Sequence, residues 1–337
     1  MRRVIEGYRH TTGKHCGTTS VSGMLRFYGH EFSEAMCIGL AAGLDFFYMS
    51  SPNMSPSHFW GGRQPLLEYD GFTRLGATVR VRQTQDEAEA WRWVKDELDA
   101  GRPAMVQVDI RWLDYYNTKT HFGGHKIVVV GYDDERQTAR ISDSEFADVQ
   151  EIPLAGLAKA RACSAPPWML ENDWFELEVP SQLRPLEEIV PEAIAALAER
   201  MQGDRGEHFG MAGMAKAAAE LPGWGAAEDW RWCARFGYQV LEKRGTGGGN
   251  FRNLYAAFLR EAAAYCGDVE RLELADRMKN IAAAWTKLAY DLREISERET
   301  PGGFDEAGEQ LRRLCELERE FYLSAGACAC SPPMGAT

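Results

Sequence analysis

The sequence predicts an α+β first half followed by an all-α second half. Three observations carry that expectation. Val21, Met24, Leu25 and Tyr28 recur at helical spacing up to a stop at Gly29-His30. Two β-branched runs, 125–132 and 137–143, flank a short acidic loop and read as a hairpin. Beyond Pro191 no convincing strand pattern remains, and alanine-rich helical periodicity takes over.

The elements follow in order. A helix opens at Cys16, and a second is expected over 31–44, ending in Gly43-Leu-Asp-Phe-Phe-Tyr48. Residues 50–64, rich in Ser, Pro, Gly and His, read as a loop. A helix over 86–100 is closed by Gly101-Arg-Pro103. A strand over 104–110 leads into an aromatic loop with Trp112, Tyr115 and Tyr116, and then into the hairpin. A strand at 149–152, a short helix at 154–161 and a strand at 174–179 complete the sheet region. Early helices before an antiparallel sheet make α+β rather than alternating βαβ. The expected division is residues 1–180, a linker at 181–190, a helical domain over 191–325 and a loose tail at 326–337. In the helical part Leu274, Met278, Ile281, Trp285, Leu288, Leu292 and Ile295 form a seam with alternating steps of four and three. It lasts about three heptads, which suits the core of an antiparallel bundle better than a coiled coil joining a homodimer. A last helix is expected over 304–323.

With 45% hydrophobic and 26% charged residues, the composition is that of a soluble globular protein. A net charge of −12 and no basic cluster with interleaved aromatics argue against nucleic acid as a partner. No apolar run approaches a membrane span, and the start of the chain has no signal-peptide core, so a cytoplasmic protein is expected. Eight scattered cysteines without a secretion signal do not make a disulfide framework.

Three residues assemble into a reaction centre. Cys16 stands between Gly13 and Gly17 at a helix start, where the macrodipole and free N–H groups favour thiolate and the same N–H groups can hold an oxyanion. With a hairpin loop over 133–135, Tyr132 pairs with Arg136 and His125 falls directly opposite Asp143, with Cβ atoms about 5 Å apart. A thiol, an imidazole and an orienting carboxylate are the parts of acyl transfer through a thioester. Asp133 and Asp134 are the other carboxylates near His125 in sequence, but they read as turn residues.

No metal is expected. His121-Phe-Gly-Gly-His125 has helical ligand spacing on a segment whose glycines disfavour a helix, and Cys328-Ala-Cys330 lacks a second pair. Gly245-Thr-Gly-Gly-Gly-Asn250 precedes a helix. It is neither a P-loop nor a dinucleotide fingerprint. It can be read as an anion-binding or substrate-contacting loop through Gly247 and Gly248, or as a plain turn with Asn250 as helix cap.

Gly13-Lys-His-Cys16, Gly43-Leu-Asp-Phe-Phe-Tyr48, His121-Phe-Gly-Gly-His125 running into Val128-Val-Val-Gly-Tyr-Asp-Asp134, Ser142-Asp-Ser144 and the segment 154–161 together resemble the N-terminal domain of the butirosin biosynthesis protein H (BtrH) family. The second half, with Gly245-Thr-Gly-Gly-Gly and Phe251-Arg-Asn-Leu-Tyr-Ala-Ala-Phe-Leu259, resembles the uncharacterised helical domain that follows it in that family. The resemblance implies a papain-like or C39-peptidase-like core used for acyl transfer. The family's named member moves an aminoacyl group from an acyl carrier protein to an amine of an aminoglycoside. On this footing Cys16 is the nucleophile, His125 the base and Asp143 its orienter. Peptidases of this broad group often carry a glutamine oxyanion donor about six residues before the cysteine. Here that position is His10, so His10, His15 or the Gly17 backbone would serve.

The expected function is an acyltransferase that forms an amide. It would take an acyl group from a carrier protein or coenzyme A and pass it through Cys16 to a small-molecule amine, in secondary-metabolite biosynthesis. No cofactor is implied beyond a phosphopantetheine-linked donor. Tyr48, Trp112, Tyr115, Tyr116, His121 and Phe122 are candidate substrate walls, with Gly247 and Gly248 as further contacts. Arg244, Arg252 and Arg260, or Arg74, Arg80 and Arg82, are candidate docks for an acidic carrier. Two alternatives use the same residues: a cysteine peptidase or amide hydrolase, and a non-catalytic scaffold.

Overall fold

The computed structural model describes residues 1–166 and 168–328. It divides into two compact units. Met1–Cys37 and Phe72–Leu183 form the first, and Ile38–Gly71 with the chain from Arg184 onward form the second.

The first unit is built on a seven-stranded sheet whose pairings are all antiparallel. Its order is Thr78–Arg82, Trp174–Glu178, Ala104–Val108, His125–Asp133, Thr138–Ser142 and Gln150–Pro153, with Arg2–Val4 also pairing to His125–Asp133. The histidine strand runs through the middle of the sheet and is buried at every position but the last. That explains its near-continuous apolar sequence. Val106, Ile127, Val129, Ile141, Ile152, Leu157 and Trp174 share one core, each aliphatic contributing about 1.5–3 kcal/mol by leaving water. The helix Cys16–Phe27 packs on this strand, where Ser20 Oγ donates to the Lys126 carbonyl at 3.5 Å. The expected helix near 86–100 forms as Glu87–Asp99. The Asp86 carboxylate accepts the Ala88 and Glu89 N–H groups at 2.9 Å, a cap worth about 1 kcal/mol.

The hairpin departs from the expected register. Asp133 pairs with Thr138 and Tyr132 with Ala139, so the loop is one residue longer than predicted. The Asp133 carboxylate fixes it by accepting the Glu135 and Arg136 N–H groups at 3.0 and 3.1 Å. The register shifts again between Val129 and Gly131. Gly131 is required there, since a Cβ would lie 2.6 Å from the Arg3 carbonyl of the neighbouring strand. Ser142 therefore ends its strand opposite Val128, and His125 and Asp143 are not cross-strand partners.

Several elements escape the sequence reading. Arg2–Val4, Thr78–Arg82 and the helix Leu67–Arg74 had no clear periodicity, being short or charged. Leu44–Ser50 and His58–Arg63 pair as a hairpin where a helix end and a loop were expected, and the helix before them is only Glu34–Leu40. The Ser/Pro-rich stretch is the turn of that hairpin. Its strands bury Phe46 and Trp60 in the second unit, where Phe46 stacks on Trp285 at 5.7 Å.

From Leu186 onward the regular elements among the described residues are helical. The first runs Leu186–Gln202 and so begins inside the expected linker 181–190; Pro185 caps it and Pro191 is buried inside it. The seam from Leu274 to Ile295 is buried within this unit, in the helix Leu274–Ser296. The last helix is Phe304–Gly326, and most of the expected tail, 329–337, lies outside the described residues. Among the described residues no helix is long and apolar enough to cross a membrane.

Candidate active site

The site begins with a helix start. His15, in extended conformation, caps Cys16–Phe27 by accepting the Thr18 N–H on Nδ1 at 3.2 Å. Cys16 is thus the first helical residue, half-buried, with its sulfur where the helix dipole favours an anion. Two further ties hold the approach to the helix. The Gly13 N–H donates to the Ser144 carbonyl at 3.1 Å, one residue past Asp143. Glu34 accepts the Lys14 and His15 N–H groups at 3.0 and 2.5 Å and the Thr18 and Thr19 hydroxyls at 3.0 and 3.2 Å.

His125 opens the central strand and is buried. Its Nε2 lies 2.8 Å from Asp143 Oδ2, leaving Nδ1 for the Cys16 sulfur, with which the ring is hydrogen-bonded. Asp143 has no exposed surface. Its Oδ2 also accepts the Tyr115 hydroxyl at 3.0 Å, and Oδ1 accepts the Glu145 N–H at 3.2 Å and the Tyr116 hydroxyl at 3.4 Å. The Tyr116 ring stands edge-on to His125, with centroids 5.6 Å apart.

The charges follow from these contacts. Burial pushes the Cys16 thiol up, but the His125 charge and hydrogen bond, with the Lys126 backbone N–H, bring it below its ordinary value. Burial disfavours a charged His125, but the Cys16 thiolate and Asp143 raise it to about 10. Burial likewise opposes the Asp143 carboxylate, and His125 beside it holds it below the usual range. Burial and Asp143 push both tyrosines well above the ordinary phenol value, so they remain donors. These contacts favour a thiolate–imidazolium pair backed by a carboxylate, the form in which a cysteine can serve as a nucleophile.

The other candidate residues have partners of their own. Tyr115 and Tyr116 hold Asp143 and are not simple apolar walls. Both His10 ring nitrogens are engaged: Nε2 donates to the Phe146 carbonyl at 2.9 Å and Nδ1 meets the Ser142 hydroxyl at 2.8 Å. His15 is a helix cap, which leaves the Cys16 and Gly17 backbone at the helix start as the oxyanion candidates. His121 bonds Asp109 at 2.8 Å, Trp112 packs against the sheet core and Phe122 stands edge-on to Trp168. Tyr48 belongs to the second unit, where its hydroxyl meets His58, Glu220 and Trp224. A cavity of about 660 Å³ in that unit is lined by residues including Ser57, His58 and Asp229.

The glycine loop is committed to its own unit. The Gly248 N–H donates to Thr246 Oγ1 at 3.1 Å and the Gly249 N–H to the Glu242 carboxylate at 2.9 Å. The Glu242 carboxylate thus takes up the Gly249 N–H of the loop. Phe251, not Asn250, is the cap residue of the next helix, Arg252–Ala262. Members of the candidate basic docks have partners within the chain. Arg252 is fully buried against Glu318, Arg260 meets Asp276, and Arg82 stacks on Trp93 at 4.1 Å.

Sequence reasoning missed Glu34 and the clasp formed by Tyr115 and Tyr116. No local motif marks either, because each acts across the fold on a backbone or carboxylate that only the tertiary structure brings near.

The model of the family described as butirosin biosynthesis protein H, N-terminal, matches residues 15–144, a span that contains Cys16, His125 and Asp143. A second model, described as a domain of unknown function (DUF4872), matches residues 155–324, half of the chain. No curated protein matches the chain.

Proposed function

The chain belongs to the butirosin biosynthesis protein H family, and we propose that it is a cysteine-dependent acyltransferase that forms an amide between a thioester-borne acyl group and a small-molecule amine. The observation that carries this reading is the Cys16–His125–Asp143 relay at the start of a helix.

The relay supports a two-step transfer. The Cys16 thiolate adds to the thioester carbonyl, and the Cys16 and Gly17 N–H groups stabilise the oxyanion. The donor carbon–sulfur bond breaks, and the departing thiolate takes the proton of the His125 imidazolium. The acyl group now rides on Cys16 as a thioester. An amine adds to this carbonyl and gives its proton to neutral His125, while the Cys16 thiolate leaves. The product is an amide, and the ion pair is restored. Asp143 keeps the imidazole oriented throughout, and Tyr115 and Tyr116 keep Asp143 in place. A carrier-protein or coenzyme A donor and a role in secondary metabolism come from the family reading.

The engagement of both His10 ring nitrogens removes a side-chain oxyanion donor from the position where the related peptidases use glutamine. This favours a thioester, the more reactive electrophile, over a peptide bond. The test is intact-protein mass spectrometry with a panel of acyl thioesters, on wild type and Cys16→Ala. The expected result is an adduct on Cys16 that an added amine discharges faster than water does. Discharge by water alone would make the protein a hydrolase, and no adduct with any donor would make it a scaffold.

A further inference from the structure

The first unit holds a second Cys–His–Asp set. Asp109 follows the strand Ala104–Val108, Cys163 follows the helix Leu154–Arg161, and His121 lies in the loop that leads to Gly123-Gly124. Asp109 is buried and rigid: its Oδ1 accepts the Arg111 and Phe122 N–H groups at 2.9 and 3.1 Å, and its own N–H donates to the Ala160 carbonyl at 2.8 Å. Asp109 Oδ2 lies 2.8 Å from His121 Nδ1, and Cys163 Sγ lies 3.7 Å from the same nitrogen.

That shared nitrogen decides the chemistry. At His125 the carboxylate holds Nε2, and the ring, which is also hydrogen-bonded to the Cys16 thiol, keeps Nδ1 free for it. At His121 the carboxylate and the thiol converge on one nitrogen, and the ring cannot relay a proton between them. One oxygen, one nitrogen and one sulfur all within 4.8 Å of one another are a donor set that a tetrahedral cation can take up. With the usual zinc bond lengths, sulfur and nitrogen ligands stand about 3.6 Å apart, and nitrogen and oxygen about 3.4 Å. The sulfur–nitrogen separation is already near this, and the nitrogen–oxygen separation has to open by about 0.6 Å.

We propose that Asp109, His121 and Cys163 bind a divalent transition ion of the zinc class, with a fourth position open to solvent. The mixed S, N and O donors select zinc over magnesium or calcium. Carboxylate and thiolate together neutralise the ion. The Trp112 indole N–H and the Ala165 N–H hydrogen-bond the sulfur, as outer donors to a metal thiolate do. On binding, the thiol proton leaves to solvent and the imidazole proton moves from Nδ1 to Nε2, which points away from the ion. The open position follows from the His121 side chain, which is 40% exposed. The ion would close the segment 109–121 into a clasped loop. Tyr115 and Tyr116 sit on that loop, so the metal braces the groups that hold Asp143. The sequence hid the site because its three ligands share no local motif; the sheet and one helix bring them together.

The test uses the full chain, stripped with a chelator and then given Zn²⁺ or Co²⁺ alone. Wild type should retain one equivalent of zinc after gel filtration. The cobalt form should show tetrahedral visible bands and a sulfur-to-cobalt charge-transfer band in the near ultraviolet. Cys163→Ser and His121→Ala should each weaken zinc binding more than tenfold, and Cys163→Ser should lose the charge-transfer band. Cys16→Ala should keep both signals. Circular dichroism checks folding, and if Cys163→Ser misfolds, His121→Ala, at the more exposed position, carries the test. No retained zinc in wild type overturns the proposal. So does zinc retained undiminished by the folded Cys163 and His121 variants, or zinc lost from Cys16→Ala instead.

Discussion

Tyr115 donates its hydroxyl to the same Asp143 oxygen that meets His125 Nε2, at 3.0 and 2.8 Å. The carboxylate lies beyond the end of its strand, so strand pairing does not fix it. The loop tyrosines and the Glu145 N–H do that work. Tyr115→Phe should therefore cost about 1.5–3 kcal/mol of stability, the usual worth of a hydrogen bond to a charged group. It should also slow acylation of Cys16 about tenfold through a looser His125. Thermal melts and the rate of adduct formation measure the two effects. A variant with wild-type acylation would show that Tyr115 is only structural.

The pH dependence of Cys16 reactivity tests the carboxylate. His125 stands at about 10 because the thiolate and Asp143 outweigh the burial that would lower it. Its folded value lies above the ordinary 6.5, so its contribution to stability is complete below pH 6.5 and is lost as pH rises through about 10. In Asp143→Asn the imidazolium loses its support and no longer holds the Cys16 thiol down. The midpoint of iodoacetamide alkylation should be acid-shifted from the ordinary 9.0 in wild type and move to higher pH in the variant. Coincident profiles would sink the electrostatic role of Asp143.

These relationships show how the sequence was informative and where it stopped. Cys16 at a helix start was legible because glycines and a clear 3.6-residue face surround it. The pairing of His125 with Asp143 was legible as chemistry, but its expected geometry was wrong. A longer turn at Asp133 and a register shift near Val130 displaced the strand ends, and the loop beyond Ser142 carried the carboxylate back. Short or charged strands such as Thr78–Arg82 give no alternation to read. Leu44–Ser50 looked like the frayed end of a helix because its apolar residues are contiguous. Arg252 looked like surface charge, since nothing local announces a partner 66 residues away.

Glu34 is the next test. Four of its hydrogen bonds run to the backbone and hydroxyls of residues 14–19, around Cys16. Glu34→Ala should lower stability by about 2 kcal/mol, within the range for hydrogen bonds to charged groups. It should also slow Cys16 alkylation at fixed pH, because the helix start is no longer held. Glu34→Gln, which keeps one acceptor oxygen, should fall between. If the alanine variant melts earlier but alkylates at the wild-type rate, Glu34 supports the fold and not the nucleophile.

The buried pair in the second unit gives the sharpest stability prediction. Arg252 Nε and Nη2 meet Glu318 Oε1 and Oε2 at 2.8 and 2.9 Å with neither side chain exposed, and the Trp285 indole donates to Oε1 at 2.5 Å. Removing one partner strands the other charge in a dry core. Glu318→Leu alone should cost about 3–5 kcal/mol. Replacing both, as Arg252→Met with Glu318→Leu, should recover most of that loss, because two charges then stay out of the core instead of one remaining unpaired. The remaining deficit should come from the Trp285 indole N–H left without its acceptor and from the Asn250 and Gly62 carbonyls left without the Arg252 donor, about 1–3 kcal/mol for each group left unpaired. Denaturant melts of the two single variants and the double variant close the cycle. If the double variant is no more stable than Glu318→Leu, the stranded charge is not the source of the cost.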